Sequence, residues 1–255
     1  MSAQAPLAPA PDRPIPVHPP HPGKPRVVQN SLRARLNRLL LARWVQPGLV
    51  LICLVPLGWL LFAAFTDRLG ANPAEALIRA SGDWALRFLC LTLAVTPLRI
   101  GLQLPTLARL RRTLGLFVAF YALCHLLAYA WFDMGFELDE ITKDIAKRPF
   151  ILVGMVAFGL LLPLAATSFN RAVKALGAVR WRILHKAVFG IAVLALLHFY
   201  WMRSAKNNVA EVVVYALVLG FFMGWRVRHA WQDRREVHAP REPRPSRAAE
   251  TLTQR

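Results

Sequence analysis

This chain is short of carboxylates relative to its basic residues, and it has only three cysteines. It carries 14 Asp and Glu against 32 Lys and Arg in 255 residues. Within its apolar runs the one expected carboxylate is Glu211, at the end of a run. Proton-coupled transporters and channels combine carboxylates with histidines inside the bilayer, so this scarcity argues against a proton relay. Cys53, Cys90 and Cys124 stand singly in three different apolar runs, with no C-x-x-C and no C-x-x-C-H. That pattern excludes thioether-linked prosthetic groups and zinc-site spacing, and leaves the three as small buried apolar side chains. The first thirty residues hold no apolar run of the kind a cleavable signal peptide needs. Residues 226–255 contain no glycine-rich phosphate loop, and the chain shows no internal repeat.

What the chain does have is apolar length. Hydrophobic residues make up 56% of it although the net charge is +18, and the two properties are segregated along the sequence. A nucleic-acid binder would mix its arginines into a folded surface, so the basic balance is read as a topology signal and no nucleic acid is expected. A lipid span needs about 20 apolar residues. Five runs qualify: 48–65, 114–132, 149–168, 184–202 and 209–225. A sixth, 84–104, is interrupted by Arg87 and Arg99 near its ends, where long cationic side chains reach the interface. Its Thr96-Pro97 pair predicts a kink, because proline removes a backbone hydrogen bond.

The fold class expected is therefore all-α, a polytopic bundle of six transmembrane helices spanning residues 46–226. A proline-dense, disordered basic tail (1–45) precedes it and a charged tail (227–255) follows. Counting Lys and Arg by connector places 23 on the side of both tails, seven on the other and two (Arg87 and Lys186) inside spans. Positive charge stays in the cytoplasm, so both termini are expected there.

Histidines carry the chemistry. His18, His21, His229 and His238 lie in the tails, whereas His125, His185 and His198 all fall within spans. An ionisable group inside a bilayer is costly and points to function; the plain alternative is a neutral histidine bonded to a neighbouring helix. The third and fifth spans run parallel, which sets His125 and His198 at similar depth in the outer half, able to sandwich one iron. His185 stands 13 residues before His198, roughly 20 Å of helical rise, as two stacked sites would require. One objection is angular, since 13 residues turn a helix about 140° away from the starting face. No second histidine opposes His185. Arg112, 13 residues before His125, and its neighbour Arg111 suit haem propionates better than iron, because arginine stays protonated.

The stretch RRTLGLFVAFYALCHLLAYA (Arg111 to Ala130), followed by Arg180-Trp-x-x-Leu-His185 and His198-Phe-Tyr-Trp201, resembles the MsrQ family, also known as YedZ. Gly82-x-Trp84-Ala-Leu-Arg87 and Thr96-Pro97-Leu fit the same family, and the resemblance covers residues 45–225. It implies a haem-binding subunit of the bacterial inner membrane, related to the ferric reductases and NADPH oxidases. Such a subunit passes electrons from the quinone pool or a flavin donor through haem b to MsrP. That periplasmic molybdopterin enzyme reduces methionine sulfoxide in oxidised proteins. The resemblance assigns the haem ligands to His125, His185 and His198, leaves open one haem or two, and adds an FMN without residues. The wider group has two histidines on the third span, and this chain has one. Residues 226–255 are too few for a nucleotide-binding domain, so the donor is expected to be another molecule and no complete catalytic site is expected in the chain. On the outer face, Asp133, Glu137, Asp139, Glu140 and Asp144 make residues 133–148 the longest acidic connector, an expected steering patch for the partner.

Overall fold

Each apolar run lies on a helical stretch long enough to cross a membrane. A computed structural model describes residues 31–204 and 209–238; the proline-dense segment 1–25 with His18 and His21, Lys206 and the tail beyond 238 lie outside the described residues. The helices are α1 (Ser31–Leu41), α2 (Val45–Phe65), α3 (Pro73–Gly101), α4 (Ala108–Ala128), α5 (Leu138–Lys147), α6 (Pro149–Ala166), α7 (Asn170–His185), α8 (Ala187–Ser204) and α9 (Ala210–His238). A 3-10 turn, Pro105–Leu107, leads into α4, and a π-helical turn, Tyr129–Asp133, continues it. Six helical stretches are long and apolar enough to cross a membrane: α2, α3, α4 with its flanking turns, α6, α7 joined to α8, and α9. The described residues contain no strand. The chain is an all-α, multi-pass membrane protein.

Two helix pairs form the frame. α3 packs along α4, and α6 packs along α8; α4 meets α6 between the pairs, α9 lies on α3 and α8, and α2 lies on α4 and α3. Trp84 and Phe88 of α3 interlock with Phe117 and Tyr121 of α4, with ring centroids 5.2–6.4 Å apart. Outward-facing Leu51, Ile52 and Val55 of α2 and Leu217 and Phe221 of α9 are exposed. In a bilayer that surface is solvated by lipid tails, so helix association rests on close packing and interhelical hydrogen bonds.

Two residues use such bonds to repair breaks in the backbone. Tyr121, fully buried, accepts from the Leu57 N–H (3.0 Å) and donates to the Cys53 carbonyl (2.9 Å). An unbroken α2 would join those two groups directly; Pro56 disturbs this turn and the phenol bridges it. Likewise, Pro97 has no N–H to give to the Leu93 carbonyl four residues earlier. Arg226 of α9 supplies the missing donor at 2.9 Å, bonding Thr96 Oγ1 as well and lying over the Phe189 ring.

Several boundaries differ from the sequence reading, for physical reasons. Asn72 caps α3 by accepting from the Glu75 N–H at 3.1 Å, with Pro73 at the first helical position, so this span starts 11 residues before Trp84. Arg87 consequently sits near the middle of α3 instead of its end, held over the Trp84 ring and donating to the Tyr215 hydroxyl at 3.3 Å. Asp83 joins the span, which corrects the expectation that Glu211 alone brings a carboxylate into one. The fifth span is not one straight helix. α7 is bent at Gly177 (φ 74°) and is followed by a separate α8. His185 ends α7 and His198 belongs to α8, with Lys186 alone between the two helices. Residues 31–41, placed with the disordered tail, form α1, tied to the bundle by Thr106 Oγ1 donating to Asn37 Oδ1 at 2.6 Å. Cys53 and Cys90 are buried and Cys124 half-buried, none of them in a disulfide.

Replacing Arg226 by Gln should lower stability by about 1–3 kcal/mol, the cost of leaving a buried carbonyl unpaired. Thermal unfolding in detergent measures it. In a Pro97→Ala background, where residue 97 regains its own N–H, the same replacement should cost clearly less.

Candidate functional site

α3 and α4 run close enough for His125 of α4 to reach the α3 backbone. Its Nδ1 lies 2.7 Å from the Ile78 carbonyl. A carbonyl only accepts, so Nδ1 carries the proton and Nε2 is left with a free lone pair. The second helix pair does the same: His198 Nδ1 of α8 lies 2.6 Å from the Phe150 carbonyl of α6. Both imidazoles are thus fixed in the tautomer of a metal ligand, with the orienting hydrogen bond such ligands require.

The two rings face each other across the bundle, centroids 6.1 Å apart and planes at 77°. Two imidazoles binding one ion at about 2 Å from each nitrogen bring their ring centres to about this separation. Among the described residues no three His, Cys, Asp or Glu side chains converge, so protein groups alone do not complete a coordination sphere. The pair suits an iron whose other positions belong to a macrocycle. A cavity of about 510 Å³ surrounds the pair, walled by side chains such as Leu86, Phe158, Leu161 and Ile191. Its size falls in the range of cofactor pockets. The residues fit a haem.

Asp83 lines this cavity and was missed because the sequence reading began the span one residue after it. Arg203, on the last turn of α8, lies 3.5 Å from Asp83 and 2.9 Å from Glu211, binding α8 to α3 and α9. A carboxylate paired with a guanidinium, beside two histidines whose Nδ1 protons rest on carbonyls, is poorly placed to relay protons.

A second cavity, of about 420 Å³, contains His185 together with Arg99, Arg111 and Arg112. His185 stacks on Trp181 at 4.0 Å, and its Nε2 lies 3.2 Å from Thr167 Oγ1. Arg112 donates to Asn170 Oδ1 at 2.7 Å. None of the ion pairs among the described residues involves these three arginines, so their charge is open to an anionic group. Both cavities share Leu89, Val118 and Leu161 as lining. The structure brings His125 and His198 together, and groups His185 with Arg111 and Arg112 beyond that apolar partition.

The acidic segment 133–148 is not the uniformly exposed connector expected. It folds into α5, an amphipathic helix, and Asp144 is its buried member. Asp144 accepts from the Tyr129 hydroxyl at 2.8 Å and pairs with Arg148 at 3.0 Å. Asp139 and Glu140 remain exposed. The four-residue periodicity of Asp144 and Arg148 was the available sign that this acid is structural.

Residues 81–197 match the family described as ferric reductase like transmembrane component. The chain is 60% identical over 190 residues to the protein-methionine-sulfoxide reductase heme-binding subunit MsrQ of Polaromonas naphthalenivorans, covering 74% of this chain and 87% of that one. It is 47% identical to the MsrQ of Herminiimonas arsenicoxydans (76% and 89% covered) and 44% to that of Caulobacter vibrioides (74% and 88%). No solved structure matches. These likenesses and the six-span bundle define a ferric-reductase-like membrane protein. Within that class, the chain belongs to the MsrQ family.

Asp144→Asn should lower stability by about 1–3 kcal/mol, since it weakens a buried charge-assisted network. Asp139→Asn with Glu140→Gln should stay within about 0.5 kcal/mol of the parent, as exposed changes do. Thermal unfolding of each purified variant separates the two roles.

Proposed function

We propose that this chain is the haem b membrane subunit of a methionine sulfoxide reductase system, carrying electrons across the bacterial inner membrane to a periplasmic partner. The paired imidazoles His125 and His198 carry the reading: two rings 6.1 Å apart, each with its Nδ1 proton held by a backbone carbonyl. Bound between them, haem would supply an iron that exchanges single electrons. His125 and His198 would hold the group through Nε2, the nitrogen left without a proton. The Ile78 and Phe150 carbonyls keep the ligands neutral, oriented and electron-rich. The apolar walls exclude water.

His185 serves a second, inner site, with Arg111 or Arg112 answering carboxylates of the bound group. Arg111 is the more available, since Arg112 is bonded to Asn170. For His185 to ligate through Nε2 it must release Thr167. Leu89, Val118 and Leu161 leave one layer of apolar side chains for charge to cross between the cavities. Whether one haem or two binds is a matter of loading at this inner cavity. FMN is the further cofactor the family reading carries, with no residue assigned.

Both termini face the cytoplasm under the charge asymmetry, so the His125–His198 cavity opens toward the periplasm and the arginine-lined cavity toward the cytoplasm. Electrons enter from the quinone pool or a flavin donor on the inner side and leave to MsrP, the molybdopterin reductase, on the outer. The exposed pair Asp139 and Glu140 on α5 steers a basic surface of that partner, and such steering weakens as salt rises.

The test is a reduced-minus-oxidised spectrum of the detergent-purified chain, with a haem-to-protein ratio. His125→Ala and His198→Ala should each abolish the low-spin spectrum of the outer haem. Full, unaltered haem in both variants would refute the assignment. His185→Ala should block reduction from the cytoplasmic side while dithionite still reduces the outer haem; normal delivery in that variant removes His185 from the path. Neutralising Asp139 and Glu140 together should slow reoxidation by the partner at low salt with haem content unchanged. If reoxidation of the reduced subunit is no faster with the partner than without it, the hand-over is wrong.

A further inference from the structure

Each histidine of the outer site sits in a notch cut by a glycine on the facing helix. A Cβ at Gly154 would lie 2.9 Å from both Nδ1 and Cε1 of His198; one at Gly82 would lie 3.1 and 3.2 Å from the same atoms of His125. In each pair the carbonyl that takes the Nδ1 proton belongs to the residue one helical turn before that glycine, Phe150 or Ile78. Carbonyl and histidine are 47 residues apart in one hairpin and 48 in the other. The same device is therefore built twice, in a chain whose sequence shows no repeat. Gly115 has only a methyl 3.8 Å away, and Gly159 and Gly190 on α6 and α8 face open space.

We infer that Gly82 and Gly154 are positioning residues of the outer site, which fix the azimuth of His125 and His198 and thereby hold the two imidazole planes nearly perpendicular. The inference rests on the bis-histidine reading proposed above. Confined between the glycine backbone and its own hydrogen bond, each ring has one accessible plane. A methyl group in either notch pushes the ring away from the carbonyl, weakening the Nδ1–H bond and turning the plane. Perpendicular planes leave the two π-type orbitals of a coordinated low-spin iron close in energy and make its paramagnetic signal strongly anisotropic; rotation toward parallel splits them and narrows the spread. The hydrogen bond from each Nδ1 to its carbonyl also sets the potential.

The experiment is low-temperature electron paramagnetic resonance and redox titration of the full chain purified with its haem. Glycine-to-alanine variants are made at positions 82, 154 and 159. The parent should show a strongly anisotropic low-spin signal. Gly154→Ala, with the tighter contact, should shift the largest g value and the midpoint potential or lose low-spin haem, Gly82→Ala should do so less, and Gly159→Ala should match the parent. Unchanged g values and potentials in Gly82→Ala and Gly154→Ala, with haem retained, overturn the inference. A parent without any bis-imidazole low-spin signal, and unaffected by His198→Ala, overturns the haem reading instead.

Should Gly154→Ala fail to fold, the double variant with His198→Ala decides. If the methyl acts through the ring, removing the ring restores folding, and the double variant melts no lower than His198→Ala alone. If the folding defect persists without the ring, the glycine serves helix packing and the inference falls.

Discussion

A bilayer core offers no water to a polar group, so every donor and acceptor within this bundle must find a protein partner. The constraint is visible wherever the backbone ladder is interrupted. The Tyr121 hydroxyl bridges Leu57 and Cys53 beside Pro56, and Arg226 reaches the Leu93 carbonyl that Pro97 leaves without a donor. The same constraint acts on the two site imidazoles, whose Nδ1 protons rest on the Ile78 and Phe150 carbonyls. Structural repair and cofactor chemistry thus draw on one resource, the backbone carbonyl as a hydrogen-bond acceptor for a side chain of another helix.

Close helix contact makes this possible. Small residues let helices approach in membranes, and here glycines stand where an imidazole needs the room. α3 with α4 and α6 with α8 become rigid hairpins, each presenting one ring, and the site is the seam between them. Arg203 reinforces that seam by tying the end of α8 to Asp83 and Glu211. A site assembled from two rigid pairs holds its ligands with little reorganisation, which suits electron transfer.

Charge is distributed with similar economy. Arg99, Arg111 and Arg112 gather around one cavity without a carboxylate in its lining, whereas Glu75, Asp83 and Asp133 line the other together with Arg79 and Arg148. The first arrangement favours an anionic group and the second is largely self-compensated. α5 repeats the division on a smaller scale, burying Asp144 against Tyr129 and leaving Asp139 and Glu140 to the surface.

Apolar run length, basic asymmetry and intramembrane histidines were all legible in the sequence, because each depends on local composition against a fixed bilayer thickness. Six spans and the candidates His125, His185 and His198 follow from that alone. The sequence could not reveal that α3 begins at Pro73 and brings Asp83 into the bundle, since an Asn cap and a polar first turn look like a connector. Nor could it show that α7 and α8 part between His185 and His198, or that Asp144 turns inward. Those depend on which faces meet. Above all, the pairing of Gly82 with His125 and Gly154 with His198 joins residues more than forty positions apart. No local pattern records such a contact; only the packing of one helix against another decides it.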